Sequence, residues 1–327
     1  MKEYGGFLPL ELKKGSDYFE KYKNIFSVVK LNCGRSTFFY AAKTIQPKKI
    51  YVPYLNCIDS VTPFEKLGIP YEFYFLDNEL LPLDVAPGKD EAILWINYYG
   101  NASVDKIRKV CLLFKDTNLI IDNCHAFYAE PQQGAYNCYS ARKFFGVCDG
   151  AYLIADDLDK ILLNKSYSAQ YYSFILESIE LGTNAVYEKN LENEDRLRCD
   201  SVLEMSEITQ RILQSINYED IKNVRRRNFI EMHRCLESIN EFEANLDSHT
   251  HMYYPLLVSN PLLRNRLIEN KIYTPTWWRH VLEYFDESVL EAKLSKYMLM
   301  LPIDQRYNIS DMQEIARIVI KENNRRG

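Results

Sequence analysis

No apolar run in the 327 residues reaches the roughly 18 to 20 needed to span a bilayer. Residues 1–12 lack the basic start and apolar core of a secretion signal. The expectation is a cytoplasmic protein without membrane contact. Basic residues are not in excess either: 40 Lys and Arg stand against 45 Asp and Glu, for a formal net charge of -5. A nucleic-acid or anionic-membrane surface favours the opposite sign. The one sharp basic cluster, Arg225, Arg226 and Arg227, lies in a helix-like stretch and reads as a solvated face or a set of ion pairs. The eight cysteines, at 33, 57, 111, 124, 138, 148, 199 and 235, include no Cys-x-x-Cys pair and have no histidines at ligand spacing beside them. No metal site is expected, and the thiols read as reduced and mostly buried. A G-x-G-x-x-G turn after a strand is missing, which removes the dinucleotide fingerprint. No repeat or low-complexity linker divides the chain.

What remains is a globular composition, 47% hydrophobic and 26% charged. At this length a single core stops growing, so one large and one smaller domain are expected. Between 24 and 154, short apolar runs alternate with amphipathic stretches, the pattern of an α/β domain with a largely parallel sheet. The runs at 49–53 (KIYVP), 71–76 (YEFYFL), 92–97 (AILWIN), 119–122 (LIID) and 151–154 (AYLI) read as buried strands. Helices are expected at 37–44, 60–67 and 104–114, with Ser60 and Ser103 as N-caps. From 166 to 236 the pattern turns helical and charged, with Ile208, Ile212, Ile216 and Ile221 on one face. From 252 onward a strand, a helix, a turn and a final helix at 310–321 suggest a small α+β domain. The division expected is 1–200 for the large α/β domain, and 201–327 for a helical connector with the small C-terminal domain.

Three places carry chemistry. In NCGRST (32–37), Gly34 and the hydroxyl residues open the first helix, whose free N–H groups suit a phosphate or carboxylate; helices also start this way with no ligand. In LIIDNCHAF, Asp122 ends an apolar strand, where open α/β sheets collect ligands, although an Asp there also caps turns; His125 follows three residues on. In SARKFFGVCDGA (140–151), Lys143 stands among aromatic and apolar residues. Burial makes such an amine able to form an imine with an aldehyde, and the plain alternative is a loop lysine reaching for water. A phosphate cradle, a strand-end acid and a buried amine, in that order on one α/β domain, fit pyridoxal phosphate (PLP).

At these residues the chain resembles the DegT/DnrJ/StrS family of PLP-dependent sugar aminotransferases. NCGRSTFFYAAK is similar to the family's first glycine turn and helix, YVPYLNCIDSVTPFEKLGI to its strand, proline and helix, and INYYGNASVDKI to its Tyr-Gly segment. LIIDNCHAFYAEPQQG resembles the cofactor segment and SARKFFGVCDGAYLI the Schiff-base segment, while NVRRRNFIEMHRCL and LMLPIDQRYNISDM are similar to the double-arginine helix and the closing segment. The resemblance implies a fold type I PLP-transferase in which Lys143 carries the cofactor, Asp122 faces the pyridine nitrogen and His125 takes the place of the usual Gln. Asp149, Gly150 and Ala151 fall on the family's Glu-Gly-Gly. It also implies phosphate contacts from Gly34, Arg35, Ser36 and Ser140, a homodimer with shared active sites, and transfer of an amino group from glutamate to a keto-sugar nucleotide.

The chain departs from the family in four respects. Where a stacking aromatic is usual it reads Tyr54, Leu55, Asn56, Cys57, so Asn56 or Cys57 would cover the ring. Cys138 replaces the phosphate serine, with Ser140 as its substitute. Only Gly182, Thr183 and Asn184 echo the segment that reaches the neighbouring subunit. The chain is also short where sugar specificity is set. Tyr99, Tyr273, Trp277, Trp278 and His280 are candidates for the sugar site, although paired tryptophans also fill domain interfaces. Other readings are a PLP-dependent sugar dehydratase, which in this family carries histidine in place of the lysine, and a degenerate member that only binds a nucleotide sugar or a partner.

Overall fold

A computed structural model describes residues 4–199, 201–247 and 250–325. Eight strands form one sheet: β1 (Ser27–Leu31), β2 (Ile50–Pro53), β3 (Tyr71–Leu76), β4 (Pro82–Leu83), β5 (Ala92–Ile96), β6 (Asn118–Asp122), β7 (Ala135–Ser140) and β8 (Ala151–Ala155). Their order is β1-β8-β7-β6-β5-β2-β3-β4. The strands β3, β2, β5, β6 and β7 are mutually parallel, and antiparallel pairs close both edges. All five residues of β5 and of β8 are buried, as a sheet covered on both faces requires. The mostly parallel α/β class expected from the alternating runs is the one formed.

Two of these strands escape a reading of apolar runs. In β1 (SVVKL) Lys30 interrupts the pattern, and its amine pairs with Asp17 at 3.0 Å. In β7 (AYNCYS) Asn137 is wholly buried, and its amide donates to the carbonyls of Gln132, Ala135 and Ile154. Polar side chains satisfied inside the fold break an apolar pattern without breaking the strand. Ser103 caps its helix, accepting from the Lys106 amide at 3.0 Å. Ser60 does not cap: its buried hydroxyl has no partner, and the helix Thr62–Lys66 follows it.

The helices Ser173–Leu181, Tyr187–Cys199, Glu207–Ser215 and Tyr218–Leu236 fill the charged stretch. Ile212, Ile216 and Ile221 pack on an aromatic cluster around Phe127, Phe144 and Tyr218. The longest of these helices begins on that cluster at Tyr218 and ends, through Phe229, Met232 and Leu236, in a second core. There a two-stranded antiparallel sheet, β9 (Tyr253–Leu257) and β10 (Met298–Pro302), packs with the helices Leu263–Glu269 and Ile309–Asn324. Arg226 and Arg227 are exposed, but Arg225 is not: it is 2% exposed, with its guanidinium turned into the protein. The solvated-face reading fails for Arg225 because the amphipathic period places it on the same side as Phe229 and Met232. All eight cysteines are free; four are buried, two partly so, and Cys57 and Cys199 are exposed.

Candidate active site

The chemistry-bearing residues gather at the carboxyl ends of the parallel strands, where an open sheet leaves a crevice. Asp122 is the last residue of β6, in register with Cys138 of β7. Its Oδ1 accepts from the Cys124 amide at 2.8 Å, which turns the chain sharply after the strand. The Cys124 thiol returns towards the same carboxylate. Burial first, then the Asp122 charge, hold that thiol well above its ordinary pKa, while the charge of Lys143 pulls it down. A Cβ on Gly34 would stand 3.4 Å from Cys124 Sγ, so the start of the helix Gly34–Ile45 rests against this turn. Gly34 contributes space there, since its φ is not in the left-handed region. Cys33 offers no side-chain cap, and the first amides of a helix have no intrahelical acceptor.

The side chains of that helix start are committed within the chain. Ser36 donates to Asn32 Oδ1 at 2.6 Å, and Arg35 pairs at 2.9 Å with Asp59, which also binds Arg198 at 2.9 Å. What the helix start presents is its backbone. Cys138 is wholly buried beneath the same helix, with its thiol donating to the Tyr136 carbonyl at 3.9 Å and its pKa pushed up by burial. Ser140, two residues on and on the same side of β7, has a hydroxyl with no bond among the described residues.

Lys143 follows in a turn closed by the Phe144 and Phe145 amides, both donating to the Ala141 carbonyl at 3.0 Å. The lysine is half-buried, and its amine has no ion pair or hydrogen bond among the described residues. His125 lies within reach of its charge. Burial, then Lys143, hold the imidazole well below 6.5, and its Nδ1 is buried without a partner. Its carbonyl explains the Tyr-Tyr-Gly segment: Gly100 has φ +70°, and a Cβ there would meet His125 O at 2.5 Å.

The neutral state of His125 has a measurable consequence. Unfolded, the imidazole takes a proton near pH 6.5, whereas folded it does so only at lower pH. The unfolded chain therefore gains protons first on acidification, and stability falls by up to about 1.4 kcal/mol per pH unit in that window. In His125→Gln the unfolding midpoint is expected to fall less steeply than in wild type between about pH 6.5 and 5. Equal slopes in urea titrations of both proteins would contradict the buried neutral imidazole.

An aromatic wall closes the other side. Trp277 stacks on His125 at 4.6 Å and 24°, and on Tyr99 at 6.3 Å and 18°. Trp278 lies 5.7 Å from Tyr99 and 5.9 Å from His125. Tyr99 and Trp278 both adopt positive φ, 60° and 54°, a costly conformation for bulky residues, and the Tyr99 hydroxyl is buried without a partner. Ser295 Oγ donates to both tryptophan carbonyls, and His280 bonds the main chain of Tyr54. The tryptophans thus pack on a further apolar cluster that includes Tyr98, Tyr99 and Leu257. Tyr273 is exposed and makes no ring contact with them.

Asn56 is wholly buried, with its amide on the Pro53 carbonyl and its Oδ1 unpartnered, while Cys57 points to the surface. Asn184 sits in an exposed turn between two helices. Asp149 is a buried anchor: its carboxyl group accepts from the Ser206 amide (3.0 Å) and the hydroxyls of Ser206 (2.8 Å), Ser168 (3.2 Å) and Thr209. Gly150 beside it has φ +121°, and a Cβ there would press on Thr209 Cγ2 at 3.1 Å. Cys124 was absent from the expected site, although it lies between Asp122 and His125. Among the described residues no group of three or more His, Cys, Asp or Glu could hold a metal ion.

This is the fold of the fold type I PLP aminotransferases. No protein-family model matches the sequence, and no curated protein matches it. Solved structures do match. The sugar aminotransferase CalS13 from Micromonospora echinospora is 15% identical, with 90% of this chain and 87% of that one covered and a TM-score of 0.61. Helicobacter pylori PseC, an aminotransferase of pseudoaminic acid biosynthesis, is 14% identical, with 90% and 86% covered and a TM-score of 0.61. E coli GDP-4-keto-6-deoxy-D-mannose-3-dehydratase with bound hydrated PLP is 16% identical, with 92% and 89% covered and a TM-score of 0.63.

Proposed function

We propose that the protein is a PLP-dependent aminotransferase of the cytoplasm that moves an amino group from glutamate to a keto-sugar nucleotide, for surface-polysaccharide or secondary-metabolite sugars. The observation that carries this reading is the half-buried, partnerless amine of Lys143 beside Asp122 and His125. The residues fit the cofactor. The helix start at Gly34 and Arg35, with the unbonded Ser140 hydroxyl, offers donors for its phosphate, Asp122 offers an acceptor for a protonated ring nitrogen, and the orphaned His125 Nδ1 offers a partner for the ring hydroxyl. Cys124 stands beside Asp122 at the same turn.

When bound, PLP supplies an aldehyde and a ring that draws off carbanion charge. Lys143 would hold the cofactor through that aldehyde, and its amine would move the proton at the substrate carbon. Asp122 holds a proton on the ring nitrogen. His125, neutral through burial, orients the ring without adding charge. Trp277, Trp278 and Tyr99 would exclude water on one side of the crevice. The dehydratase neighbour favours a second chemistry on the same fold, but a lysine at 143 supports aminotransfer.

A second copy of the chain completes the assembly. The helix Ser173–Leu181 (SFILESIEL) buries none of its residues, and Leu176, Ile179 and Leu181 are exposed just before the Asn184 turn. An apolar helix left bare marks an interface, and the turn bearing Asn184 would then reach the partner's crevice. Incubation of the PLP-loaded protein with glutamate tests the activity. Stoichiometric 2-oxoglutarate is expected, and none would overturn the aminotransferase reading.

A further inference from the structure

Arg225 is buried without a carboxylate within ion-pair distance among the described residues, an arrangement that costs stability unless every donor is used. Its donors go elsewhere. Nη2 donates to the Phe144 carbonyl at 3.2 Å, Nη1 to the Met252 carbonyl at 3.0 Å, and Nε to Gln305 Oε1 at 2.9 Å. Gln305 Nε2 returns to the same Phe144 carbonyl at 2.9 Å, and the guanidinium lies 4.8 Å from the centre of the Phe144 ring. Met252 immediately precedes β9, and Gln305 stands three residues past β10. The ends of the small sheet therefore grip the peptide next to Lys143.

We propose that Arg225, with Gln305, is a positioning residue for Lys143: the two donors on the Phe144 carbonyl fix where the amine stands and tie it to the small C-terminal sheet. This rests on Lys143 as the cofactor lysine. A hydrophobic residue of similar volume would pack as well, but it would leave the carbonyl unheld and the lysine turn free to shift. Movement of the small sheet against the large one is then felt at the amine through this single acceptor. Displacements of about 1 Å at a reacting group change rates by about a hundredfold.

The test needs no cofactor. Acylation of each lysine by acetic anhydride is followed by peptide mass spectrometry in wild type, Arg225→Lys and Gln305→Leu. Lys143 is expected to react about threefold faster in Arg225→Lys, and faster to a lesser extent in Gln305→Leu, relative to exposed Lys89, because the turn opens locally. Lys30, held by Asp17, is expected not to change. In PLP-loaded protein the pH midpoint of the Lys143-dependent visible band is expected to move by about half a unit. Wild-type labelling of Lys143 in folded Arg225→Lys, or an equal rise at Lys30, would overturn the proposal. If Arg225→Lys does not fold, Gln305→Leu decides by the same criterion. Absence of any lysine-dependent band in wild type overturns the cofactor reading alone, and the labelling still decides the positioning role.

Discussion

Lys143→Ala is expected to abolish 2-oxoglutarate formation from glutamate, with a loss of at least about a thousandfold, while leaving the protein folded. The amine has no ion pair or hydrogen bond among the described residues, so removing it breaks nothing that holds the turn. The turn is kept by the Ala141 carbonyl, by Arg225 and Gln305 on Phe144, and by the aromatic packing of Phe144 and Phe145. Loss of one acid–base group costs about a hundred- to ten-thousandfold, and here the covalent attachment is lost as well. The check is a single-turnover assay beside a urea titration. Wild-type turnover in the variant would remove Lys143 from the chemistry, whereas a collapsed unfolding midpoint would show that the side chain is structural.

The largest stability effect is expected at Asp149. Its carboxyl group is the common acceptor for four donors on two segments: Ser168, and the amide and hydroxyl of Ser206 with the hydroxyl of Thr209. Asp149→Ala leaves the Ser206 amide and hydroxyl without this acceptor, while Ser168 keeps only the Ser206 hydroxyl and Thr209 only the Tyr172 hydroxyl at 2.6 Å. Breaking such a network costs about 3–5 kcal/mol, a large part of a typical total of about 5–15. Asp149→Asn preserves volume and one acceptor oxygen and is expected to cost less than half as much. Urea unfolding followed by circular dichroism orders the three proteins. Equal midpoints would mean that the network adds nothing.

The α/β class was legible in the alternation of apolar runs with amphipathic stretches, and the candidate site in residues that do not suit an apolar setting. A lysine amid aromatics and an aspartate closing an apolar strand are incompatible with their surroundings unless something compensates, and Lys143 and Asp122 are conspicuous for that reason. The strands around them were legible where both faces are buried, as in β5 and β8, and not where a polar residue is satisfied by distant backbone, as Asn137 is in β7. Partners far along the chain were beyond any local pattern. Arg35 is neutralised by Asp59, itself shared with Arg198, and Arg225 spends its donors on Phe144, Met252 and Gln305. The tryptophan pair was visible as an aromatic run, but its stacking on His125 joins residues far apart in the chain.

Where PLP attaches decides most directly whether Lys143 is the cofactor lysine. Borohydride reduction of the PLP-loaded protein, followed by digestion and peptide mass spectrometry, is expected to place one pyridoxyl group per chain on Lys143 and to find that site unlabelled after treatment with glutamate. Reduction that labels surface lysines in its place, or labelling at Lys143 that glutamate leaves intact, would contradict it.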